Sequence, residues 1–126
     1  MYLIDTNLIV YFLEDTLPAN GKMFLNDIID TECNISIITK MEALGFNFSS
    51  ASDEEVMKTF INGTNIINIS DEVAEGTIII RKSKKTDLPD AIIAATALAN
   101  NFTLLTHNKK DFKNISELKV IDPFEM

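Results

Sequence analysis

The chain has 126 residues, 46% of them hydrophobic, with 19 acids against 11 lysines and arginines for a net charge of −8. That length predicts one domain, residues 1–126, with a core of its own, and the acidic balance excludes diffuse attraction to nucleic acid, so an enzyme acting there needs local basic patches and a bound cation. The single Cys33 excludes an internal disulfide framework and suits a small buried position in a reducing cytoplasm; the amino terminus lacks the basic start of a secretory signal, and no apolar run reaches the length of a membrane span.

Tyr2, Leu3 and Ile4 form an apolar run without alternation, as in a strand buried on both faces. The run stops at Asp5, Thr6 and Asn7, and Leu8, Ile9, Tyr11, Phe12 and Leu13 then take helical spacing. A carboxylate therefore stands where a buried strand gives way to a helix, the edge at which open α/β sheets bind ligands. An ordinary helix cap accounts for the same residues, and the junction alone leaves both readings open. After a connection with Pro18 and Gly21, Met23, Phe24, Leu25, Ile28 and Ile29 predict a second helix ending near Asp30. Asn34 to Ile38 reads as the second strand, with Thr39 capping a helix that carries Met41, Glu42, Ala43 and Leu44.

Phe46 and Phe48 fall in a turn. Ser52 and Glu55 form a capping box for a helix with Val56, Met57, Phe60 and Ile61 on its core face, ended by Gly63. Asn65 to Ile69 is the third strand. A helix over Ser70 to Lys85 has Val73, Ala74, Ile78 and Ile79 as its apolar residues and closes on Arg81, Lys82, Lys84 and Lys85. The alanine-rich segment Asp87 to Asn101 predicts a central helix able to pack closely on a sheet. Thr103 to Leu105 is the fourth strand, and Lys119 to Ile121 a short fifth at the edge. Strands alternating with helices predict an α/β fold with a mainly parallel sheet covered on both faces.

Asp5, Glu42, Asp90, Asn108 and Asp111 all follow strands or open helices, so the topology gathers them at one edge of the sheet. Each has a plain explanation. Glu42 completes a capping box with Thr39 in a first helical turn, Asp90 follows Pro89 where an acid meets the helix dipole, and Asn108 shapes a turn. Together they form an acidic cluster whose mutual repulsion raises carboxylate pKa values and costs stability. A divalent cation relieves that cost. Oxygen ligands without histidine or cysteine suit Mg2+ or Mn2+ rather than zinc, and the lone His107 reads as a loop side chain. Such an ion activates water against a phosphodiester.

Four segments make the pattern specific: IDTN (Ile4–Asn7), ITKMEALGF (Ile38–Phe46), LPDAIIAATAL (Leu88–Leu98) and THNKKDF (Thr106–Phe112). In order and spacing they resemble PIN domains, and most of all the VapC-type toxins of toxin–antitoxin pairs. The resemblance implies a three-layer α/β/α sandwich of about five strands and a Mg2+- or Mn2+-dependent ribonuclease. It implies metal binding by Asp5, Glu42 and Asp90, an RNA substrate, a VapB-like antitoxin and a homodimer. The family's fourth acidic position often holds Asp; Asn108 stands there, and a neutral amide binds a cation less strongly than a carboxylate does. Asp111 lies one helical turn further on.

Thr6 and Thr106 are candidates to position the acids or a water, and Asn7 to fix the turn. Arg81, Lys82, Lys84, Lys85, Lys109, Lys110 and Lys113 are candidate phosphate contacts. A receiver domain is disfavoured because Asp5 has no adjacent acid, and a DxD phosphatase because Asn7 fills its second acidic place. The rival reading is a catalytically inactive binding module of the same fold.

Overall fold

The computed structural model describes all residues, Met1–Met126. Its centre is a five-stranded sheet, and β1 (Tyr2–Ile4) is the middle strand. Strands β2 (Asn34–Ser36) and β3 (Asn65–Ile67) lie on one side, and β4 (Thr103–Leu105) and β5 (Val120–Ile121) on the other. The order is β3-β2-β1-β4-β5 and every pairing is parallel. Parallel strands need crossovers: six helices, two in each, supply the first three, and a loop with one 3-10 turn, Lys109–Asp111, joins β4 to β5. The chain order reverses between β1 and β4, which opens a crevice at the carboxyl ends of those two strands.

Residues along a strand point alternately to opposite faces, and here both faces are buried. Leu3 and its register partner Leu104 pack on one side with Val73, Ile80, Ala91 and Ala95. Ile4 and Leu105, also partners, pack on the other with Leu8, Leu25, Ile35, Met57 and Ile61. The three layers follow from that alternation. Helices α1 (Thr6–Leu13), α2 (Ala19–Thr31), α3 (Ile37–Leu44) and α4 (Ala51–Asn62) serve the second core, and α5 (Asp71–Ser83) and α6 (Leu88–Ala99) the first. No helix is long and apolar enough to cross a membrane.

Six expectations need correction. The second strand ends at Ser36, whose hydroxyl accepts the Ile38 N–H at 3.1 Å and starts α3 three residues early. Thr39 is then not a cap but a fully buried residue inside the helix, and Glu42 moves to the second turn. Ser50, not Ser52, caps α4 by accepting from the Asp53 N–H at 3.1 Å. The third strand stops at Ile67, which leaves Ile69 exposed. The second helix begins earlier than the apolar run, at Ala19.

The last correction concerns the face of α5. Its buried residues are Val73, Thr77 and Ile80, while Ile78 and Ile79 are exposed. Gly76 accounts for the orientation: a Cβ there would stand 3.3 Å from the Ala95 Cβ, so α5 approaches α6 closely along that line. Thr77 tolerates burial because its hydroxyl donates to the Val73 carbonyl at 2.8 Å.

Candidate active site

The end of β1 delivers Asp5 to the crevice between β1 and β4. Asp5 does cap α1: its Oδ1 accepts the Leu8 N–H at 3.0 Å. The same carboxylate serves a second purpose, because its Oδ2 accepts the Thr106 hydroxyl from the end of β4. Thr106 Oγ1 in turn accepts the Asn108 N–H at 3.0 Å. This chain of bonds fixes Asp5 from both strands that flank the crevice. Asp5 is only 6% exposed. Burial above all pushes its carboxyl up to about 6 from 3.8, reinforced by the charges of Asp90 and Glu42 and opposed by the Thr106 and Leu8 hydrogen bonds.

Glu42 reaches the site from α3. Its Oε1 accepts the Thr6 hydroxyl at 2.6 Å, and that hydroxyl also lies 3.1 Å from the Thr39 hydroxyl. The buried Thr39 thus braces the group that holds Glu42. Asp90 stands in the first turn of α6, behind Pro89. Its carboxyl is raised by burial first, then by Asp111, Asp87 and Glu42. The four acids Asp5, Glu42, Asp90 and Asp111 line one cleft of about 640 Å³ together with Thr6, Asn7 and Asn108.

The lysines expected beside them do not join. Neither Lys109 nor Lys110 lines the cleft, and the Lys109 ammonium is held 2.7 Å from Glu125, which raises its pKa. His107 is likewise engaged elsewhere, 2.9 Å from Asp122 and stacked on Phe124.

Sequence reasoning missed two further acids in the cleft, Glu14 and Asp53. Glu14 had a readable signal. Asn7, Val10 and Glu14 recur at three and four residues, so they share one face of α1. It also missed an apolar half to the cleft, formed by Val10, Leu13, Phe46, Phe48, Val56 and Met57. Phe46 and Phe48 pack edge to face at 5.2 Å, and Phe46 is 65% exposed.

The donor set can be tested against an oxygen-seeking ion. No histidine or cysteine lines the cleft, and all its charged groups are carboxylates. No three such side chains close into a cage around an ion. Magnesium does not require one, since it keeps several waters and takes one or two carboxylates plus substrate phosphate. The donor chemistry fits such an ion, which Asp5, Glu42 and Asp90 would hold directly or through water.

The model of the family described as PIN domain matches residues 2–118. The chain belongs to the PIN domain family. This PIN domain is 36% identical over 128 residues to Ribonuclease VapC1 of Methanocaldococcus jannaschii, covering 95% of this chain and 86% of the relative. That likeness sets it among the VapC-type members. Its fold matches a chain of a toxin–antitoxin complex from Klebsiella pneumoniae with TM-score 0.79, 32% identity and full coverage of both chains (100% and 100%). It also matches VapBC2 from Rickettsia felis, bound to a DNA fragment from its promoter, with TM-score 0.80 and 25% identity over 96% of this chain and 97% of that one.

Proposed function

We propose that this PIN domain is a Mg2+- or Mn2+-dependent endoribonuclease and the toxin of a toxin–antitoxin pair. The observation that carries the reading is the meeting of Asp5, Glu42, Asp90 and Asp111 in one cleft at the switch point of the sheet. The relatives named ribonuclease and the toxin–antitoxin neighbours support it.

A bound magnesium or manganese ion supplies an acidified water and positive charge against the phosphodiester oxygens. The chain's own residues do the rest. Thr106 and the Leu8 N–H fix both oxygens of Asp5, and Thr6 fixes one oxygen of Glu42, so the carboxylates meet their target already oriented. Asp90 and Asp111 oppose the approach of a bare phosphate, which makes productive binding depend on the cation. Asn108 offers a neutral amide where a further charge would add to that repulsion. With the ion bound, the water it acidifies would be the attacking group, and no covalent intermediate would form. Pulsed expression of the lone chain should arrest growth and leave new RNA ends; the Asp5→Asn chain should do neither. Equal arrest by both chains would overturn the reading.

The partner is a basic, VapB-like antitoxin whose arginine enters the acidic cleft. Glu42 Oε2 has no hydrogen bond within the chain, so a guanidinium can reach it and pair with the neighbouring carboxylates. Apolar side chains beside that arginine would cover Val10, Leu13 and Val56, ordering the tail as it binds. Glu42→Gln should therefore weaken partner binding roughly tenfold or more, and excess magnesium should compete with it. Affinity indifferent to both would move inhibition away from the acids.

A second copy of the chain is the other expected partner. Phe46, exposed beside the cleft, supplies apolar surface for it. Light scattering of the antitoxin-free chain should give a dimer, and Phe46→Ser should shift it toward monomer. A monomer at high concentration would end the idea.

A further inference from the structure

We infer that the α5–α6 connection holds the backbone phosphates of the RNA strand outside the acidic cleft, an inference that rests on the ribonuclease reading above. Four of the chain's 11 cations, Arg81, Lys82, Lys84 and Lys85, fall within this short stretch. Of the seven cations elsewhere, three are neutralised at close range, Lys22 by Asp15, Lys58 by Glu54 and Lys109 by Glu125, and the unpaired Lys40, Lys110, Lys113 and Lys119 do not form so dense a run. None of the four makes a salt bridge, although the chain has acids in excess.

The segment is also shaped. Arg81 donates from Nη1 to the Thr86 carbonyl at 3.1 Å, which folds the connection back on the end of α5. The result is a shallow, open depression lined by residues Arg81 to Asp87, with no apolar side chain in its wall. The Thr86 hydroxyl, in that wall, has no hydrogen-bond partner in the chain. A surface that is open, cationic and without apolar lining suits phosphate oxygens and offers nothing to a base or an aliphatic side chain.

Its position ties it to the chemistry. Asp87, at its end, stands at the N-cap of α6, and Asp90, in the first turn of the same helix, lines the acidic cleft. The basic depression and the acidic cleft therefore meet at the first turn of α6. A strand with one phosphate at the acids can lay a neighbouring stretch on the cations. The cleft that performs hydrolysis repels RNA, and the connection beside it supplies the attraction that the net charge lacks.

The experiment compares the wild-type chain with the Lys84→Gln/Lys85→Gln double variant. Fluorescence anisotropy reads affinity for a short mixed-sequence single-stranded RNA, and steady-state cleavage reads KM and kcat. The Lys22→Gln/Lys58→Gln variant, which changes net charge equally, is the control. The expected result is RNA affinity weakened roughly three- to tenfold at about 50 mM salt. The salt slope should fall by about 0.7 per lysine removed, with KM raised, kcat unchanged and the control like wild type. Unaltered affinity and slope in a chain that cleaves RNA would overturn this inference alone. So would an effect shared by the control, or one confined to antitoxin binding, which would assign the cations to a protein partner. If the wild-type chain binds RNA without cleaving it, the ribonuclease reading falls and anisotropy still decides the role of the lysines. If it neither binds nor cleaves RNA, both fall.

Discussion

Asp5→Asn is expected to lower kcat/KM for RNA by roughly 10²–10³-fold and, in the same protein, to raise the melting temperature of the metal-free form. Both effects come from one buried charge. Asp5 is 6% exposed, and Asp90 and Glu42 add their repulsion to the cost of its burial. With a cation in the cleft that charge is what holds the ion, and the asparagine cannot replace it. Without a cation the charge is only a burden. Asparagine keeps the volume and can still accept the Leu8 N–H through its amide oxygen, so α1 retains its cap. The gain should be roughly 1–3 kcal/mol near neutral pH, and melting should rise by several degrees. Thermal melts in EDTA beside cleavage assays in magnesium check the pair. A variant that melts clearly below wild type would mean that Asp5 serves the fold more than the site.

The metal-free protein should lose stability as pH rises from about 4 to about 7, and magnesium or manganese should restore it. The Asp5 carboxyl titrates near 3.8 when exposed and at about 6 in the fold. Between those values the folded chain keeps a proton that the unfolded chain has released, so stability falls with rising pH. Below the lower value both states are protonated and the penalty vanishes. Above the upper one both are charged and the penalty is complete, of order 3 kcal/mol. Asp90, also raised, acts in the same direction. A divalent cation binds the charged form, so its stabilising effect should be large near pH 7 and nearly absent near pH 4. Melting temperatures across that range, with and without the ion, test the point. In Asp5→Asn most of the slope should disappear; a slope unchanged in that variant would place its origin elsewhere.

The parts of this fold that were legible in the sequence are those where burial leaves one solution. Tyr2–Ile4 and Thr103–Leu105 read as strands because both faces are covered and every residue is apolar or β-branched. Their ends set Asp5 and Thr106 side by side, so Thr106 does position an acid as expected, although no spacing could say which acid it holds, 101 positions away. The start of α3 was misread because Ile37 and Ile38 favour a strand by propensity, and the Ser36 cap with tertiary packing overrides them. The face of α5 was misread for a related reason. Three consecutive isoleucines, Ile78 to Ile80, offer no choice of face, and Gly76 against Ala95 makes the choice. Of the candidate site, the acids and their edge were readable from strand and helix ends. The apolar half was not, because Phe46 and Phe48 belong to a turn whose path only the packing of α3 against α4 determines.

Cleavage of single-stranded RNA by the purified chain, in magnesium or manganese and again in excess EDTA, tests the central claim most directly. An Asp5→Asn preparation made in parallel reports contaminating nucleases. The account predicts products without a 2′,3′-cyclic phosphate, formed only with the divalent ion and only by the chain that carries Asp5. Cleavage undiminished in EDTA, or equal in the two preparations, would contradict it.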